Sequence, residues 1–174
     1  VTVGGSVKVG GGAITTTGTS VAAGSSAAGI GRAVAVAVGS GAAAGQRYVV
    51  ANGFEVVGHR VTQDGADEVA RTLIEMSDGF AGLVVTTGGT GFAPRDQTPE
   101  GTRAVIEREA PGLAEAMRLV SPHGRLSRGV VGVRGQVVIC NTPGSPKGTI
   151  EQIDAVIDVL PHALRLLASA PTDH

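Results

Sequence analysis

Short apolar runs alternate with longer stretches of helical periodicity along most of this chain, and that alternation leaves few folds open. Residues 33–38, 54–57 and 81–86 are too short for core helices and read as buried strands. Between them, residues 42–51 read as a short crossover helix stopped near Asn52-Gly53. Residues 67–77 form a second helix, because Ala66, Val69, Ala70, Leu73 and Ile74 recur at i, i+3, i+4, i+7 and i+8. Strands joined through helices pair in parallel and are covered on both faces. The expected class is therefore α/β, a three-layer α/β/α arrangement around a mostly parallel sheet.

The second half extends the pattern. Thr98 has the chemistry of an N-cap, with Pro99 at the first helical position, and the helix is expected to run to about residue 109. Pro111 ends it, and another helix covers about 112–120. Residues 130–133 and 136–140 read as two strands joined near Arg134-Gly135. Residues 149–168 read as one long helix with Ile150, Ile153, Ile157, Leu160, Leu164 and Leu167 as its buried stripe, kinked at Pro161.

A length of 174 residues suits one domain. The expected organisation is a low-complexity N-terminal arm over residues 1–31 and a single domain over 32–170. All 15 carboxylates lie at or after Glu55, and before Ile30 the chain is almost wholly Gly, Ala, Ser, Thr and Val. A net charge of −1 provides no basic field for nucleic acid, so an anionic ligand must be held locally. The single cysteine, Cys140, sits in the run Val137-Val138-Ile139-Cys140 and reads as a buried core thiol. No apolar run is long enough for a membrane span. With no secretory signal at Val1–Gly5, the expectation is a cytoplasmic protein.

In open α/β sheets ligands bind beyond the carboxyl ends of strands. That directs attention to residues 87–98 and 141–148, each following a strongly apolar strand. In Thr86-Thr87-Gly88-Gly89-Thr90-Gly91 the glycines let the backbone approach a ligand and turn successive N–H groups toward an anion, with Thr87 and Thr90 adding hydroxyls. The helix start at Thr98 would add its dipole. A tight turn that needs glycine explains the same residues. The pattern is neither a P-loop nor a Rossmann fingerprint. Asp96 beside such a nest requires a cation or a partner; Mg²⁺ bridging carboxylate and phosphate is one solution, and pairing with Arg95 another. In Asn141-Thr142-Pro143-Gly144-Ser145-Pro146-Lys147-Gly148 two prolines stiffen the loop, Asn141 and Ser145 offer neutral donors, and Lys147 offers a mobile positive charge. Asp64, after the second strand, reads as a ligand-side carboxylate or a helix cap. Arg125 and Arg128 could bring two guanidinium groups to an anion or lie on the surface. His59, His123, His162 and His174 have no metal-ligand spacing and are assigned to structure or solvent. There is no nucleophile elbow.

The run from Thr86 to Glu100, continued by Ile106–Leu113, by Leu126-Ser127-Arg128-Gly129 and by Asn141–Gly148, resembles the signature of the molybdopterin adenylyltransferases. It is similar to the bacterial MogA and MoaB proteins and to the G domains of gephyrin and the plant Cnx-type proteins. The resemblance covers about residues 53–168, with several spaced motifs in order.

It implies transfer of AMP from ATP to the terminal phosphate of molybdopterin, with Mg²⁺, release of pyrophosphate, and a place in molybdenum-cofactor assembly. It further implies a trimer or hexamer and a MoeA-type molybdenum insertase as partner. Asp64 and Asp96 carry over as catalytic, metal-holding aspartates. Thr87, Gly88, Gly89, Thr90, Gly91, Ser127, Arg128, Asn141, Pro143, Gly144, Ser145 and Lys147 carry over as substrate contacts. The alternative is a non-catalytic molybdopterin-binding or carrier protein of the same fold. The chain departs from the family pattern in four ways. Gly39-Ser40-Gly41 replaces a serine–aspartate–arginine step, Thr142 a common leucine, and Gly101 a common alanine. The segment after the first strand is short and lacks the family's acidic residues and full crossover helix.

Overall fold

The computed structural model describes residues 33–37 and 42–169. The expected arm, and the departure at residues 39–41, lie outside them. The chain runs β1 (Ala33–Ala37), α1 (Ala42–Ala51), β2 (Glu55–Arg60), α2 (Ala66–Ser77), β3 (Gly82–Thr87), α3 (Thr98–Arg103), β4 (Arg108–Glu109) and α4 (Pro111–Leu119). After a 3-10 turn at Pro122–Leu126 come β5 (Val131–Arg134), β6 (Val137–Thr142), α5 (Pro146–Asp154) and α6 (Leu160–Ser169).

The strands form one sheet in the order β2-β1-β3-β6-β5-β4. β1 pairs in parallel with β2 and β3, and β3 pairs in parallel with β6. The β4–β5 and β5–β6 pairings are antiparallel, so the sheet is mixed. β3 and β6 are buried along their whole length, as strands covered on both faces must be. Alternate side chains divide between two cores. Leu83, Val85, Val138 and Cys140 pack with Val49 of α1, Met117 of α4, Ile153 of α5 and Leu164 of α6. Val84, Val137 and Ile139 pack with Val69, Leu73 and Met76 of α2 and with Val105. These are the three expected layers. Cys140 is buried within the first core, and burial pushes its thiol up to about 12.

Two expected helices are corrected. The helix from Thr98 stops at Arg103, far short of residue 109. Beyond it Glu107 N–H donates to Val133 O at 2.8 Å and Ala110 N–H to Val131 O at 2.8 Å, while Arg108 and Glu109 pair with β5. Without this strand β5 would expose a row of unpaired backbone groups, and that pairing overrides the local helical pattern. Pro111 begins α4. The long C-terminal helix is two helices: turns at residues 155–159 separate α5 from α6. Pro161 falls in the first turn of α6, where a missing N–H costs nothing. Thr98 itself is the first residue of α3, with Gln97 in the cap position.

Gly101 explains one departure from the family pattern. A Cβ there would lie 2.5 Å from Ala66 O and 2.7 Å from Val69 Cβ, so α3 packs on α2 more closely than alanine permits. Gly101→Ala is expected to destabilise the fold by about 1–3 kcal/mol through overpacking. A thermal melt of that variant measures it, and an unchanged midpoint would show that α2 yields freely.

Candidate active site

β3 and β6 are parallel neighbours whose last residues, Thr87 and Thr142, stand opposite each other in register. Their following loops therefore leave the sheet side by side at one rim. Gly88 N–H donates to Thr142 O at 2.9 Å, and a Cβ on Gly88 would lie 3.8 Å from Gly144 Cα. The two loops are in contact, as the expected joint site requires.

The glycine loop is shaped by close approach. Gly89 has φ 65°, and a Cβ on it would sit 2.3 Å from Thr98 Oγ1. Gly89 O accepts from Thr98 N–H at 3.1 Å. That bond, with Pro99 next in sequence, closes the start of α3. The helix dipole facing the cleft is that of α5, where Ser145 caps the helix by accepting from Gly148 N–H at 3.2 Å. Among the described residues no hydrogen bond engages the N–H groups of Gly89, Thr90 or Gly91. Consecutive N–H groups of this kind form an anion-binding concavity.

A cleft of about 700 Å³ opens between these loops. Gly88, Gly89, Thr90, Gly91, Asp96, Ser127, Pro143, Gly144, Ser145 and Lys147 all line it, as the sequence leads one to expect. Asp96 is half-buried, and its Oδ2 accepts from Ala93 N–H at 2.8 Å. Lys147 is 87% exposed, with Nζ 3.7 Å from Glu151 Oε1, so its charge is free to follow a ligand.

Four expected contacts fall elsewhere. Asp64 is exposed and does not line the cleft. Thr87 is buried, with Oγ1 lacking any hydrogen-bond partner, and does not line it either. Asn141 is 1% exposed and fully committed inside the protein. Its Nδ2 donates to Thr86 Oγ1 and Thr102 Oγ1, each at 2.9 Å, and its Oδ1 accepts from Val130 N–H at 3.1 Å. It ties β3, α3 and the residue that leads into β5 together beneath the loops. Thr142, the second departure, donates its hydroxyl to Thr86 O at 2.7 Å, a bond leucine cannot make.

Arg128 is likewise a clamp. Its Nε donates to Gly91 O at 2.7 Å, its Nη2 to Asp96 O, and its Nη1 pairs with Glu100 of α3. Its backbone N–H donates to Thr90 O at 2.8 Å. The guanidinium is spent on holding the glycine loop and Asp96 in place, and it lines a separate smaller hollow with Phe92 and Gln97. Arg125 is exposed and does not line the cleft.

The Arg128 bond holds Glu100 below its ordinary value of 4.5. A folded-state value below the unfolded one stabilises above the ordinary range, and the stabilisation is lost as pH falls through the lowered value. Solvent screening at this half-exposed pair limits the effect to about 0.5 kcal/mol. Melts between about pH 6 and pH 3 are expected to show the wild type's advantage over Glu100→Gln disappearing in acid; parallel curves would contradict the pairing.

The cleft is also lined by residues the sequence reading did not assign to the site. Val120, Ser121, Pro122, His123, Gly124 and Leu126 come from the end of α4 and the 3-10 turn. Glu151 and Gln152 come from the second turn of α5. His123, assigned to structure or solvent, is among the lining residues. The one available signal is helical spacing: Gly148 and Gln152 are four apart and share a face.

The model described as "Probable molybdopterin binding domain" matches residues 13–162. The chain belongs to the molybdopterin-binding domain family. Among curated relatives of this molybdopterin-binding domain, the molybdopterin adenylyltransferase of Helicobacter pylori strain J99 is 40% identical over 114 residues, covering 63% of this chain and 65% of the relative. The molybdopterin adenylyltransferase of Escherichia coli K12 is 44% identical over 104 residues, covering 57% and 53%. The chain thus spans less than two thirds of these relatives. The crystal structure of the molybdopterin biosynthesis enzyme MoaB of Thermus thermophilus superposes with a TM-score of 0.72 at 40% identity, covering 82% of this chain and 99% of the other. Among the described residues no helix is long and apolar enough to cross a membrane.

Proposed function

We propose that this molybdopterin-binding domain transfers AMP from ATP to the terminal phosphate of molybdopterin, releasing pyrophosphate. One observation carries the reading: the glycine loop and the Pro-Gly-Ser-Pro loop meet at a single cleft that also contains Asp96. A molybdopterin phosphate oxygen attacks the α-phosphorus of ATP, the new P–O bond forms, and the bond to the β-phosphate breaks with pyrophosphate leaving. The nucleophile belongs to the substrate, so no activated side chain is needed. The chain's task is to hold two polyanions together. The N–H groups at residues 89–91, the N-terminus of α5 and Lys147 orient phosphates.

The cleft's own charges are adverse, since Asp96 and Glu151 face only Lys147. That balance fits a divalent cation entering with the nucleotide. Mg²⁺ commonly takes one or two carboxylates plus substrate phosphates. Asp96 is the residue that would hold it, and bound there it supplies charge neutralisation between the phosphates. Asp64, exposed outside the lining, supports that role less well, which favours the alternative of a non-catalytic carrier. The same reading expects a homo-oligomer, trimeric or hexameric, a cytoplasmic setting and delivery to a MoeA-type insertase.

Incubation with molybdopterin, ATP and Mg²⁺, followed by chromatography of the pterins, tests the proposal. Adenylylated molybdopterin and pyrophosphate in equal amounts are the expected products. Molybdopterin binding without product would establish the carrier.

A further inference from the structure

Several buried polar side chains in this fold are satisfied internally. Thr102 donates to Thr98 O at 2.8 Å, Thr149 to Pro143 O at 2.8 Å, and Asn141 uses its whole carboxamide. Thr90 and Gln152 differ: both are buried at the cleft with no side-chain partner among the described residues, and Gln152 is the one that carries a donor beside an acceptor. It is 4% exposed and lines the cleft, yet no hydrogen bond among the described residues reaches its carboxamide. Ser77 Oγ and Thr87 Oγ1 lack partners in fully enclosed positions, and neither residue lines this cleft. The Gln152 carboxamide is not among the fully enclosed groups that lack a partner, so its N and O open onto the cleft and are available to a ligand that supplies both a donor and an acceptor.

The position of Gln152 narrows the ligand. α5 presents its capped N-terminus to the glycine loop, where phosphates bind favourably. Gln152 is six residues further along than Pro146, which is about 9 Å at the helical rise. A phosphate at the helix mouth therefore leaves the rest of its molecule to extend past Gln152. A carboxamide pairs in bidentate fashion with a ring edge that offers an N–H donor beside an acceptor. We propose that Gln152 reads the hydrogen-bonding edge of a fused nitrogen heterocycle held in this cleft, adenine or pterin. The choice of these two heterocycles rests on the adenylyl-transfer reading.

Gln152→Met keeps the side-chain length and removes both hydrogen-bonding groups. The thermal midpoint of the free protein is expected to hold, because no internal hydrogen bond is lost. Dissociation constants are then measured with Mg²⁺ for three probes: ATP, inorganic tripolyphosphate and molybdopterin. Affinity for one heterocyclic substrate is expected to fall about tenfold, with tripolyphosphate unchanged. Loss for ATP identifies adenine; loss for molybdopterin identifies pterin. Gln152→Leu is the second variant, expected to give the same partition. Unchanged affinity for both heterocycles, or equal weakening of ATP and tripolyphosphate, overturns the assignment. A wild-type protein that binds both substrates without forming adenylylated pterin refutes the transfer reading while leaving this binding test intact.

Discussion

Asp96→Asn is expected to reduce formation of adenylylated molybdopterin by about a hundredfold or more while leaving molybdopterin affinity within about threefold. Asp96 is half-buried at the cleft, fixed by the Ala93 N–H on Oδ2 and held from behind by Arg128 through its carbonyl. The amide can keep the position through its own oxygen. It loses the charge, and with it the means to hold a cation between the phosphates of two substrates. A single-turnover assay at saturating ATP and Mg²⁺, with pterin binding measured separately, resolves the two effects. Equal rates in variant and wild type would remove Asp96 from the chemistry. Parallel loss of binding and rate would make it a binding residue only.

Asn141→Ala is expected to cost about 3 kcal/mol of stability, a fall of about 6–12 °C in the melting midpoint. The substitution leaves Val130 N–H, Thr86 Oγ1 and Thr102 Oγ1 without their partner in a nearly dry environment. Three segments under the two loops lose their common tie. A ligand-contact role predicts the reverse pattern, intact stability with weakened substrate binding. Melting curves of the free variant separate the two, and an unchanged midpoint would restore Asn141 to the ligand.

The layered α/β fold was legible because β3 and β6 are continuous apolar runs and α2 carries a clean 3.6-residue stripe. What failed was legibility of long-range pairing. Residues 104–109 look helical locally, and nothing nearby in sequence announces that Arg108 and Glu109 will cover β5. Pro161 marks a break correctly but cannot say whether the break is a kink or a helix start. The site divides along the same line. Glycine and proline spacing announced both loops. Asn141 and Arg128 carry polar groups suited to a ligand, and only the fold shows those groups occupied by Thr86, Thr102, Gly91 and Glu100. Gln152 and His123 were hidden because their helix and turn, far apart in sequence, line the same cleft only after folding.

Simultaneous binding is the most direct test of whether adjoining turns after β3 and β6 hold both polyanions at once. Titration calorimetry with a non-hydrolysable α,β-methylene analogue of ATP, Mg²⁺ and molybdopterin reports the stoichiometry. One molecule of each per chain, with either able to bind the protein already loaded with the other, is the predicted result. Mutually exclusive binding would contradict it.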